Sequence, residues 1–492
     1  MKNKLNIVFI LTDDQGAWAI GCAGKSEVKT PNIDRLAKTG LLFENFFCTS
    51  PVCSPARASI LTGKLPSQHG VHDWIRCGNI EVSDLPDSMK AFLPYENEST
   101  AIGYLDNYEC YTDVLNRNGY RCGFCGKWHL GDSRTPQKGF ADWFTIGRGG
   151  CSYYEADIIE EDKIELCDEY ITTKIADKAV DFIENRKGEE NPFYLSVHFT
   201  APHAPWGREE HPKEYFDLYD DCEFLCTPDL QVHPWQVNTC ESGVGERRKE
   251  LLKGYYAAIT AMDHEVGRII DKIEQCGLRE DTLVIFTSDN GMNMGHHGIW
   301  GKGNGTFPQN MYDTCVKVPF IASLPGKIDE NRIYEGLTSH YDIFPTLIDY
   351  LQLPYNISAD FPGKSFAGVL GSDYSEFREN VVIYDEYGPV RMIRTKEYKY
   401  VHRYPDGPHE FYDLINDPDE SMDLIDDKNF EELIDSCRKK LTEWFIQYVN
   451  PDLDGTKEAV MGRGQLNLAG GFAKGHNSFA TDLKYSGRKG RV

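Results

Sequence analysis

Three runs of uninterrupted apolar residues stand out along the chain: Asn6–Leu11, Phe193–Phe199 and Thr282–Thr287. Continuous hydrophobicity over so short a span, without alternation, is the pattern of a strand buried on both faces, as in a parallel sheet. Each run stops at a polar cluster: Asp13-Asp14, Ala201-Pro-His-Ala-Pro205 and Ser288-Asp-Asn-Gly291. Between them, apolar positions recur at helical spacing over Ile171–Asn185 and Tyr255–Gln275. Strands alternating with helices predict an α/β fold, with a large, mostly parallel sheet sandwiched by helices. In such sheets ligands gather at the carboxyl ends of the strands, where all three polar clusters fall.

Past about Ser372 the pattern changes. Asn380–Glu386, Arg391–Thr395, Tyr398–Tyr404 and Glu410–Leu414 read as short strands separated by turn residues, and a helix follows near Phe430–Val449. They predict a smaller antiparallel sheet plus helix. The expected organisation is a main domain over residues 1–372, a C-terminal α+β subdomain over 373–461 and a glycine-rich basic arm over 462–492. Phe472, Phe479 and Tyr485 could anchor that arm over the site or on a second subunit of a homo-oligomer; a disordered tail is the alternative.

A chain of 492 residues exceeds one ordinary core, so more than one domain is expected. No stretch reaches the roughly 20 apolar residues that span a bilayer. Lys2-Asn-Lys4 leads directly into the first strand without a signal-like apolar region, which predicts a cytoplasmic protein. The fifteen cysteines are scattered, as in a reducing compartment. Cys122-Gly-Phe-Cys125 has redox or zinc spacing, but no second pair accompanies it, so structural thiols are expected there. The net charge of −25 argues against nucleic acid and against anionic membrane surfaces. It also disfavours long polyanions and leaves a small anionic substrate as the easier fit.

The chemistry centres on Cys53-Ser-Pro-Ala-Arg57. Ser54 is a good N-cap and Pro55 suits the first helical position, so Cys53 is expected just before a helix start, where backbone N–H groups favour an anion. Arg57, one turn on, adds a fixed positive fork. Asp13 with Asp14, and Asp289 with Asn290, can converge on one hard cation, and an oxygen donor set favours Ca²⁺ or Mg²⁺ over zinc. Lys127 and His129 are two residues apart and can share a side of an extended segment; the lysine suits an oxyanion and the histidine a base. His203 sits between prolines, and Lys302 is flanked by glycines that let backbone approach a ligand. His72, Asp73, Trp74, Arg76, Trp206 and His297 lie beside these segments and are candidate substrate contacts. Each of these residues alone is more often an ordinary structural one, and it is their joint occurrence that points to a site.

Cys53-Ser-Pro-Ala-Arg57 matches the Cys-x-Pro-x-Arg sequence of the type I sulfatases, and Thr12-Asp-Asp-Gln15, Thr62-Gly63, Gly126–Gly131, Ser288–Gly291 and Gly298–Lys302 follow in that family's order. The chain therefore resembles a formylglycine-dependent sulfatase of the alkaline-phosphatase-like superfamily, closest to bacterial glycan sulfatases of the arylsulfatase group. The resemblance implies that a maturation enzyme oxidises Cys53 to Cα-formylglycine, whose hydrate attacks sulfur. It implies a cation, Ca²⁺ or alternatively Mg²⁺, on Asp13, Asp14, Asp289, Asn290 and modified Cys53. Arg57 and Lys127 would orient the hydrate, Lys127 and Lys302 hold sulfate oxygens, His203 or Lys302 serve the leaving oxygen, and His129 act as base for sulfate release. The implied substrate is a small sulfated carbohydrate. A phosphonate or phosphate ester hydrolase on the same scaffold is the alternative, and a non-catalytic anion-binding relative is disfavoured because every catalytic side chain is present.

Overall fold

The computed structural model describes residues 5–24, 27–90, 98–161, 163–237, 240–385 and 390–481. Tyr485 and the rest of the basic tail after Thr481 lie outside the described residues, as does Glu386.

Ten strands form the main sheet: β1 (Asn6–Thr12), β2 (Leu41–Phe43), β3 (Arg121–Gly126), β4 (Phe140–Ile146), β5 (Ala156–Glu160), β6 (Lys163–Cys167), β7 (Phe193–His198), β8 (Thr282–Ser288), β9 (Phe320–Ser323) and β10 (Arg332–Tyr334). Their spatial order is β10-β2-β9-β8-β1-β7-β3-β4-β5-β6. The central five, from β8 to β4, run parallel, and antiparallel pairings set in on either side of them. The fully buried strands β1, β7 and β8 are the three apolar runs of the sequence.

Successive side chains of a strand face opposite ways, and β1 feeds two cores. Ile7, Phe9 and Leu11 enter one cluster, and Val8 and Ile10 the other. The first core is closed by α1 (Cys53–Thr62), through Ala58, Ile60 and Leu61. The second is closed by α2 (Ile171–Asn185) and α3 (Gly245–Gln275), which pack on each other as well as on the sheet. The spacing that predicted a helix from Tyr255 captured only its apolar part; α3 begins ten residues earlier, in a charged stretch that faces solvent except at Arg248, Leu251, Leu252 and Gly254. Cys122 and Cys125 project into different cores from β3, so this pair cannot share a metal ion or a disulfide.

A separate antiparallel sheet follows, in the order β11 (Val381–Asp385), β12 (Val390–Arg394), β13 (Tyr398–Arg403), β14 (Glu410–Asp413). The helix α4 (Glu431–Tyr448) packs on it through Ile434, Cys437, Leu441 and Phe445. The chain then returns to the main body. Residues 464–465 pair with the segment after α1: Gln465 N–H donates to the Trp74 carbonyl (2.8 Å), and Arg76 N–H donates to the Gln465 carbonyl (2.9 Å). No described helix is long and apolar enough to cross a membrane.

Candidate active site

The polar residues that follow β1, β3, β7 and β8 meet because these four strands are neighbours with their carboxyl ends on one edge. Asp13 and Asp14 leave β1, and Asp14 takes a left-handed backbone conformation (φ 65°) that turns the chain across the edge. Gly126 ends β3 at φ 113°, where a Cβ would lie 2.0 Å from the His198 carbonyl; only glycine permits this approach, which delivers Lys127 to the site.

The onset of α1 differs from expectation. The helix starts at Cys53, with Val52 as its N-cap, and Ser54 Oγ accepts a hydrogen bond from Ile75 N–H (3.0 Å) instead of capping. Every residue of α1 is buried, which explains why small side chains fill it. Cys53 Sγ lies 3.1 Å from Asp13 Oδ1, and Lys302 Nζ donates to it at 2.8 Å. Arg57 Nε donates to Asp289 Oδ2 (2.9 Å), Nη2 lies 2.9 Å from the same oxygen as an ion pair, and Nη1 donates to the Lys127 carbonyl (2.8 Å). His198, the last residue of β7, lies 3.4 Å from Arg57 Nη1. Lys127 pairs with Asp13, and Lys302 with Asp14 Oδ1 at 2.6 Å. His203 Nδ1 donates to the Ala204 carbonyl (2.7 Å), with Nε2 3.7 Å from Asp14 Oδ2. His129 Nε2 faces the Ile75 carbonyl at 3.0 Å and must donate there; its Nδ1 is buried without a hydrogen-bond partner and keeps a free lone pair.

These are buried charges of both signs, three carboxylates against three fixed cations. Burial alone would raise the Asp13 and Asp14 carboxyls, but Lys127 and His203 beside the first, and Lys302 and His203 beside the second, hold both below the usual carboxylate range. Asp289 is raised, by burial and by Asp13. Burial and Asp13 push the Cys53 thiol well up, so the unmodified side chain stays protonated. Lys302 is held charged: burial opposes this, and Asp14 and the other anions outweigh it. Burial, then the Lys127 and Arg57 charges, keep His129 neutral.

The donor set fits a hard divalent cation. Asp13, Asp14, Asp289 and Cys53 can each direct one ligand atom to within 4.8 Å of the others. Asn290 Nδ2 donates to Asp14 Oδ1 (2.8 Å), and its Oδ1 is buried with no hydrogen-bond partner, an acceptor that a cation beside Asp14 would satisfy. Oxygen donors of this kind suit Ca²⁺ or Mg²⁺.

The weaker candidates divide. Trp74 and Arg76 are half-buried beside the cluster, with Trp74 Nε1 directed at the Gly462 carbonyl (3.5 Å) and Arg76 Nη1 at the Arg463 carbonyl (3.4 Å). His72 and Asp73 are fully buried under the C-terminal tail, where Asp73 Oδ2 accepts from Gly464 N–H (3.0 Å). Trp206 is 2% exposed in an apolar cluster with Tyr255 and Met292, its Nε1 satisfied by the Pro202 carbonyl. This indole lines no open surface. His297 stacks on Tyr312, ring centroids 3.6 Å apart. His198, Tyr255, which donates to the Asp14 carbonyl (2.8 Å), and the tail residues Gly462–Gln465 were not singled out from sequence. His198 closes an apolar run and could have been noticed as its polar end; the glycine-rich, basic arm was expected as one that could lie over the site, but nothing in it marked Gly462–Gln465 in particular.

The chain is similar to known sulfatases over most of its length. The family model described as Sulfatase matches residues 5–353, and that for the C-terminal region of N-sulphoglucosamine sulphohydrolase matches residues 295–447. An ulvan-active sulfatase from Formosa agariphila is 30% identical, over 91% of this chain and 83% of that protein. An N-acetylglucosamine-6-O-sulfatase from Bacteroides thetaiotaomicron is 26% identical, over 94% of this chain and 90% of its own. A structure solved in complex with its substrate D-glucosamine-2-N,6-O-disulfate superposes with a TM-score of 0.75 at 24% identity, covering 92% of this chain and 99% of that one, and shares the fold.

Proposed function

The chain belongs to the sulfatase family and is a sulfuric ester hydrolase, and we propose that it removes sulfate from a small sulfated carbohydrate using formylglycine made from Cys53 and a Ca²⁺ ion. The observation that carries this reading is the placement of Cys53. It opens a buried helix, touches Asp13 and Lys302, and has Arg57 one turn on, locked to Asp289.

Asp13, Asp14, Asp289 and the orphan Asn290 Oδ1 would hold the cation, with Mg²⁺ the alternative to Ca²⁺. Bound there, it supplies positive charge against anionic oxygen at the reacting sulfur. Conversion of Cys53 supplies the hydroxyls that the protonated thiol lacks. Arg57 fixes residue 53 relative to Asp289 and Lys127, since its three donor nitrogens reach both. Lys127 and Lys302, charged and buried, bind sulfate oxygens and stabilise the charge that spreads over them. His203, when protonated on both ring nitrogens, delivers a proton to the leaving oxygen, beside Lys302. His129 Nδ1, with its free lone pair, takes a proton from residue 53 as sulfate departs. The pH window of the reaction is bounded by these two opposite requirements.

The carbohydrate assignment draws on the activities named for the two relatives above. A reducing, cytoplasmic location is supported by the cysteines, all fifteen of which are free. The described part of the tail packs on its own chain, and assembly into oligomers is left to solution mass measurement. The deciding experiment is sulfate release from a panel of sulfated mono- and disaccharides, with aryl sulfate and phosphonate controls, on protein whose residue 53 is verified by peptide mass. Release from a sugar position supports the reading. Phosphonate turnover without sulfate release, from converted protein, overturns it.

A further inference from the structure

A cavity of about 310 Å³ lies between the loop after Lys302 and the C-terminal tail. Its walls include Trp235, Gln236, Asn304, Thr306, Phe307 and Arg463. Both walls are tied to segments that reach the candidate active site. Asn304 is two residues past Lys302, and the intervening Gly303 N–H donates to the carbonyl of Pro51, two residues before Cys53 (3.2 Å). The opposite wall is tied to the strand segment Trp74–Arg76 by Gln465 and by Trp74 Nε1. Ile75 at the centre of that segment receives His129 at its carbonyl and donates to Ser54 at its N–H. The cavity is therefore bounded by the loop that carries one candidate catalytic cation and by the segment that seats the candidate base.

Its charge is unusual for this molecule. The chain holds 77 acidic against 52 basic residues, yet among the described residues lining the cavity none is acidic and Arg463 alone is charged. Arg463 is half-buried, and its guanidinium makes no ion pair with any described residue, while its carbonyl is held by Arg76. An arginine kept half out of water by a dedicated return of the chain, with its fork free, is suited to an oxyanion. Trp235 and Phe307 supply ring surface beside it, and Gln236, Asn304 and Thr306 supply amide and hydroxyl groups. Such a lining, apolar with a few polar groups, is what small-ligand cavities of this size carry.

We propose that this cavity receives the part of the substrate beyond the ester being cleaved, and that Arg463 pairs there with a second anionic group, a carboxylate or a second sulfate. The inference rests on the sulfatase reading and narrows it to carbohydrates carrying at least two negative groups. Arg463 is a specificity-determining residue, supplied by the tail, 410 residues from Cys53 in sequence.

The test compares wild type, Arg463→Ala and Arg463→Lys, each with residue 53 verified. The substrates are an aryl sulfate, a singly sulfated neutral sugar, a doubly sulfated sugar and a sulfated disaccharide containing a uronate. Sulfate release from any of the four substrates by the wild type reports on the sulfatase reading independently of Arg463; no release from any of them by converted protein overturns that reading and the proposal with it. With turnover present, the expected result is that Arg463→Ala lowers the preference for one doubly anionic substrate over the singly sulfated sugar at least tenfold, mainly through KM, and that Arg463→Lys recovers part of it. Which of the two doubly anionic substrates responds identifies the group as sulfate or carboxylate. Direct binding of both to the metal-loaded Cys53→Ser protein by calorimetry gives a second readout: Arg463→Ala is expected to weaken one of them at least tenfold. Equal losses on all substrates, or unchanged preference and unchanged binding, overturn the proposal.

Discussion

Lys399→Met tests how the small sheet is fixed to the large one. Lys399 leaves β13 fully buried and pairs with Asp313 Oδ1 (2.6 Å) and with Glu420, and its Nζ also donates to the Met311 carbonyl (2.9 Å). Arg394 from β12 holds the other face of Asp313, with Nη2 2.9 Å from Oδ2. Two cations thus balance two anions across the junction. Methionine fills most of the lysine's volume, so the change isolates charge from packing. Asp313 keeps Arg394, but Glu420 keeps only the Asp313 backbone N–H, at 2.6 Å. Removing one partner of a buried pair costs ~3–5 kcal/mol because the other charge is left uncompensated. Partial exposure of Asp313 and the surviving arginine place the expected loss at the lower end, about 3 kcal/mol. Burial raises the Glu420 carboxyl to about 7, although Lys399 opposes the rise; without the lysine it rises further. A carboxyl raised in the folded state contributes stability below its unfolded value that is lost as pH rises through its folded value. The difference between variant and wild type is therefore small near pH 6, where Glu420 is neutral in both, grows as pH rises through 8, and is full only above the variant's own, higher value. Adding Glu420→Gln removes the stranded charge and is expected to recover at least half of the loss at pH 8. Urea unfolding of the three proteins at both pH values measures this. A deficit below about 1 kcal/mol at pH 8, or one that grows on acidification, refutes the charge argument.

Three further outcomes follow from the site. Cys53→Ser is expected to abolish sulfate release in a host whose maturation enzyme requires cysteine, with the urea midpoint unchanged, since Sγ and Oγ occupy the same buried position; turnover like the wild type's counts against formylglycine chemistry. Chelation is expected to remove activity and Ca²⁺ to restore it, with Mg²⁺ run in parallel, and Asn290→Leu is expected to raise the metal concentration needed for half activity at least tenfold; undiminished turnover in a sample shown by elemental analysis to be metal-free rules out the cation. Lys302→Ala removes a charged donor beside residue 53 and is expected to lower kcat by about 10²–10³, the usual cost of losing one such donor at a developing oxyanion; a loss under fivefold in converted, metal-loaded protein assigns the lysine a structural role instead.

What could be read in the sequence was set by burial. Strands β1, β7 and β8 are covered on both faces, so their residues are apolar without interruption and their polar ends are conspicuous. Strand β3 is just as central, but its Arg-Cys-Gly-Phe-Cys-Gly sequence contains two glycines, one needed to let Phe182 pack against the strand and one to approach the His198 carbonyl, so the residues that fit it to the sheet also hide it as a strand. Strands β5 and β6 lie at the sheet margin, and in β6 exposed Lys163 and Glu165 flank buried Ile164 while the apolar Leu166 is itself exposed, so no alternation marks it as a strand. Trp206 shows the reverse case: an aromatic residue next to a candidate histidine suggested a substrate contact, and its ring is packed in an apolar cluster against Tyr255 of α3. The local segments announced their own chemistry, Cys53-Ser-Pro-Ala-Arg57 above all. What no segment could announce is which chemistry it would meet. Arg57, near the start of α1, meets Asp289 just past the end of β8, and Lys127 reaches Asp13 because one strand, β7, separates β3 from β1. Arg463 lies beyond even this logic, for it is brought back by backbone pairing of Gln465 with Trp74 and Arg76 after the entire second sheet has intervened. The candidate reacting groups are thus brought together by the order of strands within one sheet, whereas a proposed substrate contact such as Arg463 can be drawn from any part of the chain that returns to that edge, so it is far harder to read from sequence than the candidate nucleophile is.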